Sequence, residues 1–220
     1  MSKRKEILLR EVIARKNIKK SFVIGIGGNI SSGKTTLAKY FQEFGAKIVD
    51  ADKIGWSLLK ISTKEYRKII KTFGKSILDK NQNIDRKKLG EIAFANPKKL
   101  RTLNCIVHPA LLTKVRQEIK KNRGIIVLDA ALLFNWGLEK EMDASILVSA
   151  TKKLKIERTK KLGMTKKAAE ERLGQQMPEK VMAKQADFIV KNNGSKQELK
   201  QTAQEMWQVL EAHLRTASGR

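Results

Sequence analysis

The chain has 220 residues, 41% of them apolar, and carries 47 Lys and Arg against 22 Asp and Glu, a net charge of +25. That size suits one domain with a small insertion and a real core, and the charge points to anionic ligands. One cysteine, two histidines and three prolines exclude a disulfide scaffold, a Cys/His zinc site and a proline-rich linker.

No apolar run nears the roughly 20 residues of a membrane span, and the lone Cys105 fits a reducing, cytoplasmic location. Residues 1–20 carry a net +6. Leu8, Leu9, Val12 and Ile13 stand there at helical spacing, which predicts a basic helical extension ahead of a domain over 21–215. Residues 22–26 read as a buried strand ending in glycines. A helix follows over 34–44 with Gly45 closing it, then a short strand over 47–49 running into Asp50. From 54 to 121 the pattern is helical, broken by turns at Asn81–Asn83 and at Asn96–Pro97. Strands are predicted over 124–128 and 145–148. Two polar helices span 152–176 around Gly163–Thr165. A fifth strand covers 188–190 and a closing helix 196–214. Short buried strands alternating with helices predict an α/β fold, a five-stranded parallel sheet with helices on both faces.

The sharpest motif is Gly28-Asn29-Ile30-Ser31-Ser32-Gly33-Lys34-Thr35, a complete G-x-x-x-x-G-K-[ST] between a strand and a helix. Such a loop turns backbone N–H groups around an anion, and the helix adds its positive end. Gly28 and Gly33 permit the tight approach, Lys34 reaches the β and γ phosphates, and the Thr35 hydroxyl suits Mg²⁺, with Thr36 next along the helix. ATP and Mg²⁺ are the expected nucleotide and metal. The chain is too short for the coupling modules of a motor. A GTPase is excluded because Lys191-Asn192-Asn193 is followed by Gly194 and not by Asp.

Asp50-Ala51-Asp52 closes the second strand, where ligands bind in open α/β sheets. Asp52 there suits a general base for an attacking hydroxyl, or the N-cap of a helix starting near Lys53, and spacing weighs the two equally. Much of the lysine excess reads as solvated surface. With 5% aromatic residues, none clustered with the lysines, nucleic acid is not expected.

These motifs together resemble the dephospho-coenzyme A kinase family. The resemblance runs from about Phe22 to Leu210. It takes in the phosphate loop, Asp50–Ile54, Ile84-Asp85-Arg86, Phe94–Pro97, His108-Pro109, Asp129–Phe134, Arg172 with Gln176-Met177-Pro178, and Ala186–Val190 with Asn192–Gly194. It implies a P-loop kinase fold with an acceptor-binding helical region over about 53–121 and a helical lid over about 152–180. The implied reaction transfers the γ-phosphoryl of ATP to the ribose 3′-hydroxyl of dephospho-coenzyme A. By that resemblance Asp52, Lys34 and Arg172 are catalytic, Arg86 and His108 face the acceptor, and Asn192 and Gly194 form the adenine loop. The family's loop usually has glycines where Asn29 and Ser31 stand; both tolerate backbone strain less well than glycine, though Asn enters left-handed space relatively easily. A second lid arginine is replaced by Leu162, and a glutamate after the Leu-Leu-Phe run by Asn135. Another small nucleoside or nucleotide kinase, or a basic nucleic-acid-binding ATPase, are the competing readings. Oligomeric state is not legible.

Overall fold

Strand β1, Ser21–Gly27, is apolar along almost its whole length and buried on both faces, as a central parallel strand must be. The computed structural model describes residues 21–218 and Glu11, so the extension expected over 1–20 lies otherwise outside the described residues. The chain forms two compact units: one from the chain up to Val49 and from Lys121 onward, the other over Asp50–Lys120.

The first unit is built on the sheet. Its strands are β1, β2 (Lys47–Asp50), β3 (Gly124–Asp129), β4 (Ala144–Ser149) and β5 (Phe188–Lys191), in the order β2-β3-β1-β4-β5. The pairs β1·β3, β1·β4 and β4·β5 are parallel, with Ile26 opposite Asp129 and Gly27 opposite Leu147. Helix α1 (Lys34–Glu43) and the closing helix α9 (Lys196–Ser218) pack on the sheet through Leu37, Phe41, Ala203, Met206 and Leu210. Ile24, Ile26, Val127 and Ile146 meet them from the strands. A five-stranded parallel sheet carrying helices is the expected architecture.

The second unit is helical: α2 (Ala51–Ser57), α3 (Lys64–Phe73), α4 (Arg86–Phe94) and α5 (Pro97–Lys121). Its core is small, centred on Tyr66, Ile69, Ile77, Ile84 and Leu89. Thr63 caps α3 and Asp85 caps α4. Pro109 lies inside the 25-residue α5, where it removes one N–H donor from the ladder.

Between β4 and β5 lie α6 (Lys152–Lys161), α7 (Lys166–Gly174) and α8 (Glu179–Gln185). The buried Lys155 ammonium meets Glu179 at 2.6 Å, and the Ser149 hydroxyl donates to the other Glu179 oxygen at 3.0 Å. One carboxylate thus ties α6, α8 and the end of β4 together.

Candidate active site

The loop after β1 lies at the carboxyl edge of the sheet. Gly33 caps α1 in the left-handed region at φ 104°. A β-carbon there would also strike the Asn192 side-chain nitrogen, so glycine is needed for both backbone and space. Lys34, Thr35 and Thr36 begin α1, whose first N–H groups have no intrahelical acceptor. No acidic residue occupies that turn, which leaves the positive helix end for an anion.

Side chains from the C-terminal half hold three consecutive loop residues. The Ile30 N–H donates to Gln176 Oε1 at 2.9 Å. The Ser31 and Thr159 hydroxyls are 2.8 Å apart, and Thr159 also lies 2.7 Å from the Lys155 carbonyl. A carbonyl only accepts, so Thr159 donates to it and receives the Ser31 proton. Asn192 Nδ2 donates to the Ser32 carbonyl at 2.7 Å. Arg158 donates to the Ser31 carbonyl at 3.5 Å and to the Asn192 carbonyl at 3.0 Å.

Of the two residues that replace the family's glycines, Ser31 adopts left-handed backbone, at φ 57°, and Asn29 does not. A left-handed serine costs about 1 kcal/mol, and the Thr159 and Arg158 bonds offset it. Asn192, which the resemblance assigns to the adenine loop, donates from its side chain to the phosphate loop. Gly194 adjoins the start of α9, where Glu198 accepts from the Ser195 N–H at 3.1 Å and from its hydroxyl at 3.0 Å. Those bonds, the backbone one foremost, hold the Glu198 carboxyl below its ordinary value. A β-carbon at Gly194 would collide with that carboxylate.

Arg172 is exposed in the last turn of α7, and no carboxylate among the described residues pairs with it, although Glu170 and Glu171 are adjacent. Asp129 ends β3 beside β1, buried to 8% exposure. The apolar run Gly124–Leu128 thus closes on an acid at the carboxyl end of its strand, a residue outside the expected site.

In the second unit the capping question about Asp52 resolves against the cap. Helix α2 starts at Ala51, not near Lys53, and Asp50 caps it by accepting the Lys53 N–H at 2.8 Å. Asp52 stands inside the first turn. Trp56 follows one turn later on the same face, at i+4. The Arg86 guanidinium lies 4.3 Å from the centroid of the Trp56 ring. Arg86, Lys87 and Lys88 open α4 without an acidic residue in the turn. The Asp85 carboxylate stands at the cap of this turn and accepts the Lys87 and Lys88 N–H groups, and the Lys88 ammonium donates to the Leu78 carbonyl at 3.1 Å. His108 sits half-buried in mid-α5, directly before Pro109. The resemblance places Gln176 in the lid segment without a role, and Arg158 at a lid arginine position; Thr159 and Trp56 were not singled out, and only their tertiary contacts draw attention to them.

The chain matches the dephospho-CoA kinase family model over residues 22–198. It is 40% identical to a dephospho-CoA kinase of Aquifex aeolicus, covering 85% of this chain and 96% of that protein. It is 39% identical to one from Fusobacterium nucleatum, covering 80% and 92%. Among solved structures, a dephospho-CoA kinase from Campylobacter jejuni superposes with a TM-score of 0.64 at 28% identity, over 87% of this chain and 98% of that one. A shikimate kinase from Acinetobacter baumannii, at 13% identity and a TM-score of 0.51 over 86% and 93%, shares the fold.

Proposed function

Because the chain belongs to the dephospho-CoA kinase family, we propose that Gly28–Thr36 binds ATP and that Asp52 activates the acceptor for phosphoryl transfer. The reaction joins the γ-phosphoryl of ATP to the ribose 3′-hydroxyl of dephospho-coenzyme A, giving coenzyme A and ADP. The bond from γ-phosphorus to the β–γ bridging oxygen breaks, a bond to the 3′-oxygen forms, and the hydroxyl proton passes to Asp52. Lys34 neutralises charge on the β and γ phosphates, and Arg172 on the lid closes over them. Arg86, held against Trp56, takes an acceptor phosphate. His108 lines the acceptor side. Asn192 and Gly194 serve the nucleotide by bracing the loop and closing the turn before α9.

Mg²⁺ fits the donor set. Among the described residues no group of three His, Cys, Asp or Glu gathers to cage a metal. An ion that keeps waters and takes phosphate oxygens suits such a site. Thr35 and Asp129 are the residues that would hold it, and when bound it offsets charge between the phosphates. Among the described residues no helix is long and apolar enough to cross a membrane. With Cys105 a free thiol, we place the enzyme in the cytoplasm.

One observation carries the reading: a complete phosphate loop, braced at Ile30, Ser31 and Ser32, in a chain matched along most of its length by one family. ADP release measured with dephospho-coenzyme A, adenosine and uridine as acceptors tests it. Turnover with the first is expected. Turnover with a nucleoside alone would replace this acceptor with another.

A further inference from the structure

Gln176 has no part in the chemistry above, yet its side chain is the one that meets the phosphate loop at Ile30. The bond fixes more than a position. Only the carboxamide oxygen can accept from a backbone N–H, so Oε1 is committed to Ile30. The amine Nε2, with two N–H donors, therefore points away from that anchor and has no protein acceptor among the described residues. Within a carboxamide the amine lies about 2.3 Å from the oxygen, so the anchor keeps it at the lip of the loop. Gln176 is half-buried between α7 and α8, which limits its competition from water.

The anchor takes a single loop N–H, that of Ile30, and leaves the first-turn N–H groups of α1 from Lys34 onward for the phosphates. Ser31 and Ser32 are braced separately, by Thr159, Arg158 and Asn192. The lip that carries Gln176 is thus held independently of nucleotide.

We propose that Gln176 is a further catalytic residue: anchored through Oε1 to the Ile30 N–H, it donates from Nε2 to the γ-phosphoryl oxygens of ATP and stays in place as the group transfers. It gains and loses no proton. Its neutrality suits this place, since it adds donors beside Lys34 without a charge to be repelled or titrated. The proposal rests on the phosphate-loop reading above. It adds that the lid reads the γ-phosphate through a carboxamide as well as through Arg172.

Q176E and Q176A test it, in the full chain, by steady-state kinetics with ATP and dephospho-coenzyme A, by ADP binding and by Tm. Q176E retains an acceptor for Ile30, loses the donors and adds a negative charge; Q176A loses acceptor and donors with no added charge, so that a loss shared by both is not one of charge alone. Both variants are expected to lose about 30- to 100-fold in kcat, with ADP affinity within about threefold of wild type and the Tm of Q176E unchanged. A kcat within threefold of wild type in either folded variant would overturn the donor role and leave Gln176 a latch. An equal loss of ADP and ATP affinity would also overturn it, because the γ-phosphate would not be what is read. Wild-type protein that bound no ADP would instead break the loop reading itself.

Discussion

The two units hold their candidate residues in different ways. In the sheet unit, loop residues 30–32 are tied by side chains 127 to 160 positions later in the chain. In the helical unit Asp52 and Arg86 are exposed and His108 is half-buried, and Arg86 is set by one ring contact with Trp56, at 40% exposure. The difference suits the ligands proposed for each unit. A triphosphate is a compact, highly charged group, and donors fixed before it arrives need no reorganisation as charge shifts. The acceptor proposed for the helical unit is larger and would meet fewer, adjustable contacts on a small core.

That contrast is open to attack at several points. The largest effect is expected in the sheet unit: Lys34→Ala should lower kcat about a thousandfold or more in a folded protein, and an active variant would undo the loop assignment. Asp52→Asn comes next, with about a 100- to 10,000-fold fall in kcat and ATP affinity within twofold. Equal losses in both quantities would mean that Asp52 supports structure. Asn192→Ala removes a buried donor from Ser32 and opens space beside Gly33. It should cost about 1–3 kcal/mol of stability by thermal melting and raise KM for ATP. Trp56→Ala should raise KM for dephospho-coenzyme A about two- to fivefold with KM for ATP unchanged, as a surface cation–π contact allows. If Trp56→Ala weakened ATP as much as the acceptor, the division of labour would fail.

The smallest effect concerns the start of α9. The Glu198 carboxyl is held below its ordinary value by Ser195, so its contribution to stability is present above the unfolded value. It fades as pH falls through the lowered folded value. Glu198→Gln should therefore flatten the acid limb of a Tm-against-pH curve and change little at neutral pH. An unchanged acid limb would show that the cap is not coupled to folding.

Particular elements show where sequence reading succeeds. The five strands were legible because buried parallel strands are continuous apolar runs flanked by Gly, Asp or Asn. Helix α8, Glu179–Gln185, was missed because it is seven residues long and its Pro178 cap offers no side-chain bond. Asp50-Ala51-Asp52 offers two carboxylates of equal capping propensity. The end of β2 decides between them by placing Asp50 in extended backbone at φ −90° and Asp52 inside the helix.

By itself, then, the sequence determined the phosphate loop, the fold class and the family resemblance. These rest on local patterns: a fixed motif, apolar periodicity, and a loop set between strand and helix. Only the tertiary structure decided that Asn192 faces Ser32, that Arg158 and Thr159 hold the strained Ser31, and that Gln176 meets Ile30. Each of those pairs residues more than 120 positions apart, and a hydrogen bond between such residues leaves no trace in the spacing of either one. The same holds for Arg86 over Trp56: a guanidinium and an indole are ordinary surface residues until folding stacks one upon the other.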